Sequence, residues 1–142
     1  MTMHRARLAI MSVLLIAFSA LASAQTMQKV SLANDPLSYR TDAARHIYET
    51  YAANIYKGML PPLVHAVVVV ETELDRFGNV RDVRVVRSPS HAPEVTTAVK
   101  EMILRASPFP APSSLGVVKF TEVWLVDHSG RFQLHALTEG QR

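Results

Sequence analysis

The sequence contains no cysteine. A lipid-modified first residue is therefore impossible, and so is a disulfide, which leaves an exported chain to draw its stability from its core alone. Also missing is an apolar run long enough to cross a bilayer comfortably: Leu8 to Ala22 is about 15 residues, against the roughly 20 required. His4, Arg5 and Arg7 precede that run, and the small residues Ala22, Ser23 and Ala24 follow it. This is the charged, apolar, small-residue order of a secretory signal. The expectation is a signal peptide over 1–24, cleaved ahead of Gln25, with the remainder released to the periplasm. The alternative is that residues 8–22 stay uncleaved and anchor the chain in the inner membrane.

A strong charge of one sign is absent as well. Lys plus Arg number 15 and Asp plus Glu 12, and removal of Arg5 and Arg7 with the signal leaves 13 against 12, or +1. So even a balance does not suit a phosphate-neutralising surface, and no nucleic-acid partner is expected. The residues of a reaction centre are likewise not assembled in the sequence. His46, His65, His91, His128 and His135 form no close ligand pair, so no metal and no cofactor are expected. No glycine-framed elbow surrounds His128 and Ser129, which removes the signature of acyl transfer. Glu71 and Glu73 share one strand face, but alternation puts that face in water. No catalytic residue is assigned, and a non-enzyme is expected.

What the sequence does contain is ordered periodicity. Residues 25–41 have no period and include Asn34, Asp35 and Pro36, so they read as a linker or loose arm. From Asp42, Ala44, Ile47, Tyr48, Tyr51 and Ile55 recur at helical steps, with Thr41 as cap, Lys57 near the far end, and Gly58, Pro61 and Pro62 as the stop. His65 to Asp75 is valine-rich and ends in alternation. Asp75, Arg76, Phe77, Gly78 and Asn79 make a turn, and Val80 to Arg87 is a second strand, so the pair reads as a hairpin. Pro93 opens a helix over about 92–106 whose stripe is Val95, Ala98, Val99, Met102, Ile103 and Ala106. The Ser107 to Pro112 stretch is an extended connector because its prolines lack donors. Val117 to Val126, the turn Asp127 to Gly130, and Phe132, Leu134 and Ala136 form a second hairpin. The tail from Thr138 is expected to fray.

Helix, strand, strand, helix, strand, strand is an α+β order, with both helices on one sheet face. A crossover helix makes the second and third strands parallel, which predicts the sheet order two, one, three, four. The second and fourth strands are then edges, open to pairing. Arg81, Arg84 and Arg87 on the former read as charges that discourage unwanted pairing.

At this point the chain resembles the TonB C-terminal domain family, the TonB/TolA-like periplasmic domains. The residues that carry the likeness are Leu74 to Val80 with Val83, Val85, Val86, Arg87 and Ser88, then Val95 to Ala106, then Ser107, Pro108, Phe109 and Pro110. The resemblance implies a domain over 42–138 that binds an envelope protein, or a segment of an outer-membrane receptor, by strand addition at a sheet edge. Phe120, Trp124, Phe132 and Leu134, on or beside the second hairpin, are the candidate partner-binding residues, and a homodimer is possible. If the N-terminal segment is uncleaved, the resemblance implies instead an accessory energy transducer for TonB-dependent transmembrane transport.

Overall fold

A computed structural model describes residues 27–141. The expected signal peptide and its membrane-anchor alternative lie outside the described residues. Among the described residues, no helix is long and apolar enough to cross a membrane. The class is α+β: the elements are β1 (Val30–Ser31), α1 (Pro36–Thr50), β2 (Ala66–Leu74), β3 (Val80–Arg87), α2 (Pro93–Arg105), β4 (Ala111–Pro112), β5 (Val118–Val126) and β6 (Phe132–Leu134).

Helix α1 begins earlier than its periodicity suggested, because a better cap lies upstream. The Asp35 carboxylate accepts from the Leu37 and Ser38 N–H groups, each at 2.9 Å, and Pro36 occupies the first turn, where its missing donor costs nothing. Thr41 is therefore interior to the helix, and Lys57 lies beyond its end at Thr50. The expected arm over 25–41 is corrected accordingly. Tyr39 is fully buried and donates its hydroxyl to the Pro110 carbonyl at 2.6 Å. Val30 and Ser31 pair in parallel with Ala111 and Pro112. The chain from Lys29 onward is thus part of the domain. The C-terminal tail is also tied down: Gly58 N–H donates to the Glu139 carboxylate at 2.8 Å, and Leu60 N–H to the Gly140 carbonyl at 2.9 Å.

The main sheet has the order β3-β2-β5-β6, every neighbour antiparallel. Strict alternation along β2 and β5 sends Ala66, Val68, Val70, Thr72 and Leu74, with Val118, Phe120, Glu122, Trp124 and Val126, to the buried face. Against that face pack Tyr39, Ala43, Ala44 and Ile47 of α1 and Val99 and Ile103 of α2. At about 25 cal/mol per Å² of apolar surface, this layer is the main favourable contribution to folding.

The β2–β3 turn docks on the proline connector. Asp75 accepts from the Phe77 and Asn79 N–H groups, and Gly78 at φ +85° lets its carbonyl accept from the Phe109 N–H at 2.8 Å. A Cβ on Gly78 would lie 2.0 Å from the Phe109 carbonyl oxygen, so glycine is required by contact as well as by conformation. Ser107, which precedes a cis peptide bond to Pro108, accepts the Val80 N–H through its hydroxyl.

Candidate functional site

The four residues expected to meet a partner are instead core. Phe120 is 8% exposed, Trp124 1%, Phe132 0% and Leu134 1%. The Trp124 and Phe132 rings pack at 4.6 Å between centroids. Phe120 and Trp124 are buried on the helix-facing side of β5, and Phe132 and Leu134 because β6, although only three residues long, is covered from outside. Ile55 bridges to Phe132, the Tyr56 N–H donates to the Phe132 carbonyl at 2.9 Å, and the Leu134 N–H donates to the Tyr48 hydroxyl at 3.0 Å. The Gln133 side chain, itself buried, donates to the Tyr56 and Gly58 carbonyls at 2.8 and 2.6 Å and accepts from the Glu139 N–H. Along β6 this edge of the sheet is sealed.

Those same bonds fix which backbone groups face which neighbour. Phe132 and Leu134 point away from β5, so Gln133 and Leu125 are the hydrogen-bonded pair between β6 and β5. Antiparallel alternation then turns Lys119, Thr121 and Val123 toward the β6 side. But β6 pairs only with Trp124 to Val126 and departs into a helical turn at His135. The Lys119 and Thr121 backbone groups are left without a strand partner among the described residues. At the other end of the sheet the same alternation turns Val83 and Val85 of β3 outward, along an edge with no neighbouring strand among the described residues.

The corner where β6 leaves β5 is closed by a side chain. Glu122, at a buried position of β5, turns its carboxylate back to accept the Val123 N–H at 2.8 Å. It also takes two bonds from Arg40 of α1, at 2.7 and 3.1 Å, and Arg40 donates in turn to His135 Nδ1 at 2.9 Å. The side chains of Arg40 and Glu122 are 18% and 6% exposed. Both carboxylate oxygens are thereby bonded, which offsets the desolvation that a largely buried pair suffers. The signal that could have found it was in the sequence: Glu122 interrupts the apolar alternation of Val118, Phe120, Trp124 and Val126. One helical turn before Arg40, Leu37 is 71% exposed.

The remaining candidates fall into place as pairs. Glu71 bonds Arg84 across to β3 and Glu73 bonds Lys119 across to β5, both at 3.2 Å, on the sheet face away from the helices. Asp75 is held below its usual carboxylate range, first by its bond from Asn79, which is the chemistry of a turn rather than of a reaction centre. The structure also joins histidines that are far apart in sequence: the His65 ring lies 4.5 Å from that of His128 and 5.4 Å from that of His91. His91 Nε2 donates to the His65 carbonyl at 2.6 Å. No group of three or more metal-ligating side chains able to hold an ion occurs among the described residues. No protein-family model, curated protein or solved structure matches this chain.

Proposed function

We propose that this chain is a periplasmic protein–protein interaction module, similar in kind to TonB C-terminal domains, that binds an envelope partner by strand addition. The observation that carries the reading is the half-open edge of β5: nine residues pair with β2, and only the last three pair with β6. An extended segment laid beside Val118 to Val123 can exchange hydrogen bonds with Lys119 and Thr121 and lie in line with β6. Four such bonds supply about 2 to 6 kcal/mol, against an association cost of about 4 to 15. Side-chain contacts must make up the difference, and the exposed Leu37 beside Arg40 is the apolar wall available for them.

A photo-crosslinking amino acid placed at exposed Thr121 in cells tests this. A defined envelope protein should be captured, and a Thr121→Pro change should abolish capture from a crosslinker moved to Lys119. Proline there removes a donor that faces the open side, so the melting temperature should stay within a few degrees. Capture that survives the proline change would mean that the contact does not use this edge.

A further inference from the structure

The opposite edge of the sheet carries a second, independent signal. On the face of β3 away from the helices, Asp82 and Arg84 flank Val83. Arg84 has a partner in Glu71, but Asp82 stands directly opposite Glu73, a like charge whose own cation is Lys119. Among the described residues Asp82 has no ion pair. Its exposed carboxylate is therefore free to meet a cation brought along the open edge.

We propose that β3 pairs antiparallel with β3 of a second copy of this chain about a two-fold axis at Val83, making the two four-stranded sheets continuous. Charge selects the register. An axis through Asp82 sets two aspartates face to face, and an axis through Arg84 does the same with arginines, each destabilising. The axis through Val83 sets Asp82 of each copy against Arg84 of the other, twice. It also pairs the outward N–H and C=O groups of Val83 reciprocally. In that register Arg84, the arginine within the regular stretch, faces Asp82 and not another arginine. A two-fold axis normal to the sheet keeps the helices of both copies on one face and leaves the β5 edges free. Register shifts between Val69 and Val70 and between Glu73 and Leu74 confine the regular stretch to Asp82–Val85, so the pairing is short and the dimer exchanges with monomer.

Sedimentation equilibrium of the purified protein should show a monomer–dimer equilibrium that weakens with added salt. Asp82→Arg, which faces like with like at both symmetric positions, should weaken it about tenfold without lowering the melting temperature, because the new arginine stands opposite Glu73 within the chain. Because the chain has no cysteine, the register can be trapped directly. An equal mixture of Asp82→Cys and Arg84→Cys chains should form the mixed disulfide faster than either forms a disulfide with itself. A protein that stays monomeric up to about 1 mM overturns the proposal. So does a dimer indifferent to Asp82→Arg, or self-linking as fast as mixed linking.

Discussion

The two ends of the sheet start from similar sequence, a short alternating run beside a glycine turn, and reach opposite conditions. At one end β6, three residues long, is wholly buried; at the other β3, eight residues long, has no residue buried. Strand length therefore does not decide which end joins the core. What decides it is whether other chain lies beyond. The Tyr51 to Gly58 segment and the C-terminal tail wrap β6 and bond its outer groups, whereas among the described residues other chain meets β3 at its first residue, where Ser107 accepts the Val80 N–H. The largest expected effect follows from this contrast. Phe132→Ala leaves a cavity against Trp124 and should cost about 3 to 5 kcal/mol in urea unfolding. A loss below about 1 kcal/mol would mean that the sealed end is not sealed in solution.

The wrapping itself can be loosened with less damage. Gln133 is the hinge pin of that end, since one amide serves the Tyr56 and Gly58 carbonyls, the Thr138 hydroxyl and the Glu139 N–H. Gln133→Ala strands these groups close to the surface, where water reaches some of them, so the expected cost is about 2 to 3 kcal/mol. Amide exchange should quicken at Glu139 and Leu60 while β3 is unchanged. Equal quickening at both ends would show that the sheet opens as one unit and that the contrast between its ends is only static.

Much of this architecture was readable in the sequence, and the unreadable part has a common cause. The valine alternation of β2 and the apolar stripe of α2 are local patterns, and the elements form where those patterns lie. The start of α1 lies upstream of its apolar stripe because Asp35 and Pro36, which interrupt the periodicity, are its cap and first turn. Phe120, Trp124, Phe132 and Leu134 read as partner-binding candidates because a terminal hairpin suggests an edge; alternation along β5 already allows the core position of Phe120 and Trp124, whereas Phe132 and Leu134 are buried by wrapping from residues some eighty positions away. The Arg40–Glu122 pair and the His65, His91 and His128 cluster are likewise long-range meetings that no spacing announces.

Alkali should act on the sealed end before the open one. Burial raises the hydroxyl of Tyr48 above its usual range, and that hydroxyl accepts the Leu134 N–H. The folded value exceeds the unfolded one, so this stabilisation is complete below about pH 10 and is lost as pH rises from there through the folded value. Unfolding midpoints should therefore fall above pH 10, because the part-buried phenolate is poorly solvated even though the Leu134 N–H still bonds it. Tyr48→Phe should cost about 1 kcal/mol at neutral pH, through the lost acceptor, and should flatten the alkaline decline. An unchanged decline would assign it to Tyr39 and Tyr51, which burial also raises.

The smallest effect sharpens the comparison most. Val86 on β3 is half exposed and contributes little to the core. Val86→Thr keeps the β-branched shape that strands favour, so at micromolar protein its cost should stay within about 0.5 kcal/mol. Val86 lies outside the Asp82–Val85 stretch available for pairing with a second copy, so the same substitution should also leave association at high protein concentration unchanged, in contrast to Asp82→Arg. A cost above about 1 kcal/mol at the lowest concentration would place Val86 under cover within a single chain, and the β3 edge would then not be open at all.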